Sequence, residues 1–306
     1  MSKLVAIIGP TASGKSQLAL RLAQQFNGEI VSADSRQVYR LMDIGTAKPG
    51  GDEMSIIPHY LIDIINPDED FSLAQYQQLA YQSIADIQQR HKLPLLVGGT
   101  GQYLWAVVEG WKIPEVAPDL EFRQRLEGRA AQGETDQLYQ ELAQIDPDAA
   151  QRIDRRNVRR VIRALEVARN SEVSSTQPQL KISPPFNTLI IGLTTERKEL
   201  YRRIDQRVDR MIEQGLVDEV KRLVEMGYDM ALPSMSGIGY KQLGQYLGGE
   251  LTLEAAVQQI KTETHRLVRR QYNWFRLKDE RIKWFDIGDA KAEAEIMALV
   301  AGFISG

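Results

Sequence analysis

The sequence predicts an α/β protein whose parallel sheet is flanked by helices, and three observations indicate this class. First, the apolar run LVAII leads directly into GPTASGKS at residues 9–16, which matches the G-x-x-x-x-G-K-[ST] phosphate-loop pattern and makes the sheet P-loop NTPase-like. Second, further apolar runs alternate with segments of helical periodicity, as in parallel sheets covered on both faces. Third, the stretch from about residue 113 to 180 lacks buried-strand runs, which indicates an all-helical insertion.

The first half of the sheet domain follows from short apolar runs and the helices between them. Residues 4–8 form the first strand, and the helix after the phosphate loop ends at Asn27-Gly28. EIVSADS is a second buried strand with Asp34 at its C-terminal end. Ser72 and Gln75 form a capping box that starts a helix over FSLAQYQQLAYQSIADIQQR. LPLLVGGTGQYL is a strand that enters a glycine turn and then a helix.

The insertion and the second half of the sheet domain follow in order. Asp146-Pro147 supplies an N-cap and a first-turn proline for one arginine-rich helix inside the insertion. NTLIIGLTT resumes strand character, and RIKWFDI is a final strand before a terminal helix. Between these two strands we expect three helices, around 196–214, 216–226 and 252–277. The chain is accordingly divided into a first core part (1–112), the helical insertion (113–180) and a second core part (181–306).

Composition limits the possible function classes. The chain has 306 residues, a formal net charge of −3 and no cysteine, which excludes disulfides, zinc–thiolate sites and cysteine nucleophiles. No apolar run approaches the roughly 18 residues that cross a bilayer. The N-terminal apolar run enters the phosphate loop and does not read as a signal peptide. We therefore expect a cytoplasmic protein with no membrane partner, and a monomer because the sequence has no long exposed apolar seam.

The phosphate loop predicts that a di- or triphosphate binds at residues 9–16. Successive backbone N–H groups and the N-terminus of the next helix form an anion nest. Lys15 adds a positive charge for the distal phosphate, and the Ser16 hydroxyl is placed to hold Mg²⁺. The pattern leaves open whether the phosphate is transferred, hydrolysed or released as a leaving group.

Asp34 is a candidate catalytic residue because of its position at the end of a strand. Ligands of open parallel sheets gather at the C-terminal ends of the strands. A carboxylate there can accept a proton from a nucleophile or hold Mg²⁺ through water. The alternative is structural, since Asp34-Ser35-Arg36-Gln37 also has the pattern of a capping box.

Thr100 ends the third sheet strand within GGTGQYL. Its neighbours Gly98, Gly99 and Gly101 allow the backbone either to approach a ligand or to turn sharply. The alternative reading is that Thr100 only caps the following helix.

Arginines are concentrated in the insertion. Residues 151–170 contain seven arginines against Asp154 and Glu166, which leaves a net charge of +5. The predicted stripe on one helix face consists of Arg152, Arg156, Arg159, Arg160 and Arg163. So little acidic compensation favours contact with RNA or another polyanion over a merely solvated face. A later helix carries Arg203, Arg207 and Arg210 on one side, and one of these can reach a diphosphate.

Eight motifs occur together along the chain: GPTASGKS, VSADSRQVYR, DIGTAKP, PHYLIDI, LLVGGTGQYL, RALEV, GIGYKQ and RRQYNWFR. In this order they resemble the bacterial tRNA dimethylallyltransferases of the IPP transferase family, enzymes that prenylate an adenine beside the anticodon. The likeness runs from Gly9 to about Phe285, nearly the whole chain. The departures are small: Arg40-Leu41 stands where members often have Lys-Gly, and NSEVSSTQ is a loose version of a glycine-containing turn.

The resemblance implies that the loop binds the diphosphate of dimethylallyl diphosphate. This diphosphate leaves as the allyl group moves to the exocyclic amine of the adenine 3′-adjacent to the anticodon. The resemblance further implies Asp34 as the base, Thr100 as a group that positions the reacting centre, Arg207 as a cation that neutralises the diphosphate, and Mg²⁺ as the cofactor. The implied diphosphate-binding residues are Gly9, Pro10, Thr11, Ala12, Ser13, Gly14, Lys15 and Ser16.

The resemblance also implies that the tRNA anticodon stem-loop is the macromolecular partner. The target base must leave its stack to react, which costs a few kcal/mol. The implied contacts in the core are Asp34, Ser35, Arg36, Gln37, Thr100, Ser236, Gly237, Ile238, Gly239, Tyr240 and Lys241. The implied contacts in the insertion are Arg123, Arg159, Arg160, Val161, Ile162 and Arg163.

Two other functions compete with prenyl transfer. A small-molecule kinase of the P-loop class explains residues 9–16 equally well, with Asp34 as base for a hydroxyl acceptor. It explains the arginine stripe only if the stripe closes as a lid over ATP. A non-catalytic RNA-binding GTPase or ATPase is the third candidate, and the sequence has no base-specificity motif for it. Without the resemblance the kinase ranks first, and with it prenyl transfer does.

Overall fold

The structure is a computed structural model that describes residues 2–113, 119–170 and 186–306. It divides into two compact units. The core unit comprises Met1–Val108 and Pro184–Gly306, and the helical unit comprises Glu109–Ser183. The boundaries expected from the sequence lie within four residues of these. The core unit is therefore built from two chain segments, with the helical unit inserted between them in sequence.

The core unit contains one parallel sheet. Its strands are β1 (Ser2–Ile8), β2 (Gly28–Ser32), β3 (His59–Tyr60), β4 (Leu93–Gly98), β5 (Phe186–Thr194) and β6 (Ile282–Asp286). They lie in the order β3-β2-β4-β1-β5-β6, and every neighbouring pair is parallel. β1 is central, with Val5 beside Leu95 of β4 on one side and beside Leu189 of β5 on the other. The predicted parallel α/β class is confirmed.

Helices account for most of the remaining chain. In order they are α1 (Lys15–Gln25), α2 (Gly51–Ile56), α3 (Leu73–Gln89), α4 (Gly101–Val108), α5 (Leu120–Ala131), α6 (Thr135–Ile145), α7 (Pro147–Arg152), α8 (Val158–Asn170), α9 (Arg197–Glu213), α10 (Leu216–Glu225), α11 (Tyr240–Leu247), α12 (Leu253–Trp274) and α13 (Ala292–Ser305). The predicted capping box of α3 is present, because Ser72 accepts a hydrogen bond from the Gln75 backbone and Gln75 returns one. Within the described ranges, no helix has the length and apolar character needed to cross a membrane.

The two units have separate apolar cores. β1 is apolar on both faces because helices cover both, and residues 4–8 of this strand are fully buried. Leu18 and Leu22 of α1 pack on the sheet in the same cluster as Val5 and Ile7, which holds the phosphate loop between two rigid elements. Each such side chain stabilises the fold by about 1.5 to 3 kcal/mol through burial. In the helical unit α5 to α8 enclose Leu126, Leu138, Leu142, Val161, Leu165 and their neighbours.

The arginine-rich helix differs from its prediction. α7 ends at Arg152 and α8 begins at Val158, because Asp154 accepts hydrogen bonds from the Arg156 backbone and side chain and closes a turn between the two helices. Asp146 does act as an N-cap, but it caps the short α7. Arg152 and Arg156 therefore do not continue the face that carries Arg159, Arg160 and Arg163, and the five-residue stripe is wrong in this respect.

Two short helices were not predicted. α11 begins at Tyr240 within GIGYKQ, and α2 covers only Gly51–Ile56. Both follow a glycine at the N-cap position, Gly239 and Gly50, and so lack the Ser, Thr, Asp or Asn signal that marks a helix start in sequence. RIKWFDI and the terminal helix were predicted correctly as β6 and α13.

Candidate active site

The phosphate loop connects β1 to α1 in the core unit. Gly9 has a φ of +143°, and a Cβ at this position would lie 2.4 Å from the Leu193 carbonyl oxygen of β5, so the position requires glycine. Lys15 Nζ donates a hydrogen bond to the Pro10 carbonyl at 2.6 Å, which folds the side chain back over its own loop. Ser13 Oγ is buried and, within the described residues, has no hydrogen-bond partner. The loop therefore presents an ammonium group and an unsatisfied buried hydroxyl.

Asp34 and Thr100 meet at one edge of the sheet, because β2 and β4 are neighbours with Ser32 beside Val97. The Ser35 N–H donates to Thr100 Oγ1 at 3.0 Å, and the threonine hydroxyl donates to Ser35 Oγ at 3.3 Å. Asp34 Oδ1 accepts the Arg36 N–H at 2.9 Å. Residues 35–38 form turns and not a helix, so the alternative capping box at Asp34 is not formed. The hydroxyl of Thr100 is likewise bonded to Ser35 instead of capping α4.

Asp34 is the carboxylate that acts electrostatically on both cations of the site. The pKa of Lys15 is lowered to about 7, mainly by desolvation and also by the Arg207 guanidinium, while Asp34 opposes the shift. Burial likewise lowers the pKa of Arg207, and Asp34 again opposes this. α9, the phosphate loop and the end of β2 thus bring together two desolvated cations and one carboxylate.

Two stacked tyrosines lie in the electrostatic environment of Asp34. The rings of Tyr76 and Tyr103 stack with centroids 3.7 Å apart, and the Tyr76 hydroxyl donates to the Ser32 carbonyl at 3.1 Å. Burial raises the pKa of both phenols, and the charge of Asp34 adds to this rise. Both tyrosines therefore stay protonated at neutral pH, which leaves base chemistry at this edge of the sheet to the carboxylate.

Gln271 of α12 is a buried polar residue at the same edge, and it lies in the RRQYNWFR motif, although the sequence analysis predicted no role for it. Its Oε1 accepts the Thr11 N–H of the phosphate loop at 2.9 Å, and its Nε2 donates to the Gly99 carbonyl at 3.1 Å. A Cβ on Gly99 would lie 2.4 Å from this Nε2 atom. A Cβ on Gly101 would similarly meet the Trp274 side chain at 2.3 Å. Both glycines thus make room for α12, and the predicted approach of a ligand is not needed to explain them.

Glu219 anchors the DIGTAKP segment. This residue is 3% exposed, and its carboxylate accepts the backbone N–H groups of Asp43, Ile44 and Gly45 at 2.8 to 3.1 Å. The Tyr240 hydroxyl donates to the same carboxylate at 2.7 Å. Glu219 is thus held by four donors, so the position of residues 43–45 is tied to α10 and α11.

A cavity of about 470 Å³ opens beside Arg207. Lys48 lies in its wall and is ion-paired with Asp43 at 2.7 Å and Asp63 at 2.5 Å. Met54 and Met211 contribute apolar surface. The volume is within the range of about 300 to 1,000 Å³ that is usual for small-molecule pockets. The cavity and the Lys15–Asp34 cluster share Arg207.

The two core segments expected to contact tRNA are joined by Arg36. Its guanidinium donates to the Pro233 carbonyl at 2.8 Å and to the Ser234 carbonyl at 3.3 Å. Gln37 is also held internally, accepting a bond from Ser32 Oγ at 2.9 Å. In the second segment, Ser236 and Lys241 are exposed and Ile238 is half-buried, whereas the buried positions are Gly237, Gly239 and Tyr240. The side chains available on this surface are therefore fewer than the sequence implied.

The helical unit contains the remaining predicted tRNA contacts. Glu166 of α8 is fully buried and accepts hydrogen bonds from Arg123 Nε at 2.9 Å and Arg123 Nη2 at 2.8 Å, and it also accepts one from Arg163. Burial alone would raise the pKa of Glu166, but the hydrogen bonds from these arginines hold it below its usual value. Arg159 and Arg160 are exposed and, in the described part of the chain, have no ion-pair partner.

Two apolar residues of the predicted contact segment point away from such a surface. Val161 is 1% exposed and Ile162 is 2% exposed, and both belong to the core of the helical unit. Their side chains stabilise the unit and are withdrawn as candidates for direct contact with tRNA.

The fold and the site define a protein of the α/β class that combines a phosphate-loop motif between β1 and α1 with a carboxylate after the C-terminal end of β2. A family model described as IPP transferase matches residues 37–278, and the chain belongs to this family.

Individual relatives agree over nearly the full length. The chain is 50% identical to a tRNA dimethylallyltransferase of Dehalococcoides mccartyi, with 100% of this chain and 94% of that protein covered. It is 56% identical to a protein of the same name from Roseiflexus sp., with 90% of each covered.

Solved structures show the same fold. The crystal structure of a tRNA isopentenylpyrophosphate transferase from Bacillus halodurans matches with a TM-score of 0.73 and 44% identity, covering 99% of this chain and 96% of that one. A eukaryotic dimethylallyltransferase acting on tRNA matches with a TM-score of 0.86 and 30% identity, covering 100% of this chain and 80% of that one.

Proposed function

We propose that this protein is a tRNA dimethylallyltransferase. It transfers the dimethylallyl group of dimethylallyl diphosphate to the exocyclic amine of the adenine 3′-adjacent to the anticodon and releases diphosphate. The observation that carries the proposal is the cluster at the sheet edge, where Asp34 acts on the charges of both Lys15 and Arg207. A leaving group with several negative charges and an amine that must lose a proton require these two kinds of group side by side.

The donor side of the reaction is assigned to the phosphate loop and Arg207. As the allylic carbon–oxygen bond breaks, its electron pair stays on the diphosphate oxygen, so negative charge grows on the leaving group. Lys15, the loop amides and Arg207 stabilise this charge. Because both cations are desolvated, their interaction with it is stronger than in water.

The acceptor side is assigned to Asp34 and Thr100. The lone pair of the adenine amine forms the new carbon–nitrogen bond, and the amine proton passes to the Asp34 carboxylate. Asp34 Oδ1 already accepts a hydrogen bond from the Arg36 N–H, which orients the carboxylate before the adenine enters the site. Thr100 fixes the adjacent residue through its two hydrogen bonds with Ser35 and so positions this turn.

Mg²⁺ is proposed as the cofactor, with the Ser16 hydroxyl as the protein group that would hold it. Ser16 is exposed on the first turn of α1, and among the described residues no group of three or more acidic, histidine or cysteine side chains forms a metal cage. This sparse set of oxygen donors fits Mg²⁺, which keeps several waters and binds through one or two protein groups and substrate phosphates. The ion would neutralise diphosphate charge.

The anticodon stem-loop is proposed as the partner of the helical unit and of the exposed core segment. Arg159 and Arg160 supply uncompensated positive charge for the phosphate backbone. Lys241 and Ser236 are the exposed side chains of the core segment at 236–241. Dimethylallyl diphosphate as the donor, a cytoplasmic location and a monomeric state are proposed with them. The small-molecule kinase is not favoured, because the chain belongs to the IPP transferase family.

The decisive experiment incubates the purified protein with Mg²⁺, radiolabelled dimethylallyl diphosphate and unmodified tRNA, without ATP. We expect label to enter the tRNA at the adenine next to the anticodon, and one diphosphate to be released per label transferred. Consumption of ATP by the protein with no prenylated RNA in a parallel reaction would establish the kinase alternative and overturn the proposal.

The role of Asp34 is tested by Asp34→Asn in the same assay. We expect the variant to bind both substrates and to react about 10²- to 10⁴-fold more slowly, as for loss of a general base. Asp68→Asn is the matched control, since this carboxylate lies exposed on a turn. Equal rates for Asp34→Asn and wild type would refute the assignment of the base.

A further inference from the structure

Gln271 lies between the two loops to which the proposed function assigns the two substrates. It is 7% exposed, close to the C-terminal end of α12, and both ends of its carboxamide are used. One end accepts the Thr11 N–H and the other donates to the Gly99 carbonyl. The bridge needs a hydrogen-bond acceptor for one loop and a hydrogen-bond donor for the other. The carboxamide of glutamine supplies both, because it has a carbonyl oxygen and an NH₂ group.

The two loops extend from adjacent strands. β1 and β4 pair in parallel up to Ile8 beside Gly98, and each then enters its loop. Beyond the last pair the sheet no longer controls the spacing of the two chains. Gln271 bridges them at this point, at 2.9 Å on one side and 3.1 Å on the other.

The bridge continues towards the reacting groups on both sides. Thr11 belongs to the loop to which the diphosphate is assigned, three residues before Gly14, the N-cap of α1. Gly99 precedes Thr100, whose hydroxyl holds Ser35, next to Asp34. A continuous series of hydrogen bonds and peptide links therefore joins the diphosphate loop to the carboxylate.

The docking of α12 does not depend on this carboxamide. The Trp105 indole N–H donates to the Trp274 carbonyl at 3.1 Å, and Phe275 is fully buried. Trp274 also packs against Gly101. These contacts hold the end of the helix, so loss of the two amide hydrogen bonds leaves the fold in place.

We propose that Gln271 is a positioning residue that fixes the separation between the leaving diphosphate and the attacking amine. The inference rests on the proposed function, because it assumes that the donor occupies one loop and the acceptor the other. Alignment of two reactants within a few tenths of an ångström controls the rate of the chemical step, and a misplacement of about 1 Å costs about a hundredfold in rate. Gln271 thus affects chemistry more than binding.

The test compares Gln271→Ala, Gly99→Ala and the double variant under single-turnover conditions. We expect each single variant to react about ten- to a hundredfold more slowly, with the KM for the donor and the dissociation constant for tRNA within about threefold of wild type. In Gly99→Ala the added Cβ collides with the Gln271 amide. In the double variant that amide is gone, so we expect the double variant to be no slower than Gln271→Ala alone.

Gln259→Ala is the matched control, because this glutamine is exposed on the same helix. Gln271→Met preserves volume and replaces Gln271→Ala if the smaller side chain prevents folding. A Gln271 variant that reacts at the wild-type rate overturns the inference. So does a variant in which only the KM for one substrate changes, or one whose lower rate is explained by a lower melting temperature. If wild-type protein itself transfers no label to tRNA, the proposed function fails, which is a separate and visible outcome.

Discussion

Positive charge is arranged in opposite ways in the two units. In the core unit Lys15 and Arg207 are partly buried, and desolvation lowers the pKa of both. In the helical unit Arg159 and Arg160 are exposed, while Arg123 and Arg163 are bound to the buried Glu166. The two units therefore hold these cations in very different environments.

This difference teaches what each set of cations is suited to bind. A desolvated cation destabilises the folded protein until an anion reaches it, so Lys15 and Arg207 are suited to one compact, highly charged ligand. Exposed arginines interact through water over about 10 Å and are screened by salt, so they suit a long polyanion. We therefore propose that the first set serves the chemistry and that the second set contributes affinity for tRNA.

The largest expected effect comes from removing a desolvated cation. We expect Lys15→Met to lower kcat/KM for the donor by about 10³-fold, since it removes a group aimed at charge that develops in the transition state. The dissociation constant for tRNA should stay unchanged. The control is Lys221→Met, an exposed lysine of α10. A loss of less than tenfold would mean that Lys15 is not part of the anion site.

Although Lys15→Met should be less active than wild type, we expect it to be more stable. The pKa of Lys15 is lowered from 10.5 to about 7, so the unfolded chain binds this proton more tightly and the folded state loses stability as the pH falls from 10.5 towards 7. Lys15→Met should therefore raise the free energy of unfolding at pH 7 by roughly 1 to 3 kcal/mol. Urea denaturation followed by circular dichroism measures this, and a lower stability would contradict it.

The next effect concerns the two arginines that bind the buried Glu166 and so stabilise the helical unit. We expect Glu166→Gln to lower the free energy of unfolding of the helical unit by about 3 kcal/mol, because it leaves Arg123 and Arg163 without their carboxylate. The pKa of Glu166 is held below 4.5, so the stabilisation is present above that pH and lost as the pH falls further below it. Limited proteolysis at increasing urea concentrations measures this change in the free energy of unfolding. Glu127→Gln, exposed on α5, should behave as wild type.

A smaller effect follows from the protonation of Lys15. With a pKa of about 7 in the free protein, Lys15 is largely neutral at pH 8, whereas a bound diphosphate favours its charged form. Donor affinity should therefore be greatest below pH 7 and fall by up to about tenfold per pH unit above it. Calorimetry at pH 8 in two buffers of different ionisation enthalpy should detect the uptake of nearly one proton. The same uptake in Lys15→Met would assign it to another group.

The smallest effect separates compensated from uncompensated arginines. We expect Arg159→Ala to weaken tRNA binding a few-fold and to reduce the slope of log K against log salt by about one. Arg156→Ala should leave the slope almost unchanged, because Arg156 is paired with Asp154 at 2.9 Å. Donor affinity should be unchanged in both. Equal slopes for the two variants would show that exposure and pairing do not distinguish these arginines.

Elements that depend only on neighbouring residues could be predicted from the sequence. β1 and the loop after it follow from an apolar run and a motif, and the capping box of α3 from two residues three apart. The break between α7 and α8 was missed, although Asp154 provides a local turn signal, because the surrounding arginines continued a helical pattern.

The contacts that complete the site could not be predicted, because they join distant positions. Gln271 and Thr11 are 260 residues apart, and Arg36 and Pro233 are 197 apart. The signal for Gln271 was a polar residue on the buried face of a helix that also carries Ala256 and Ile260, which an inspection of α12 could have found. The apolar face of α8 predicts that Val161 and Ile162 point into the core, whereas the resemblance implied that they contact tRNA.

The central position of β1 has a consequence for synthesis on the ribosome. Its neighbour on one side, β4, ends at Gly98, but its neighbour on the other side, β5, starts only at Phe186. At about 5 to 20 residues per second, translation takes on the order of ten seconds to bridge that interval. During this time one edge of β1, whose residues 4–8 are all apolar, stays without a partner, while the inserted helices emerge as one continuous stretch. Nascent chains stalled within this interval should therefore be the ones that chaperones recognise most strongly.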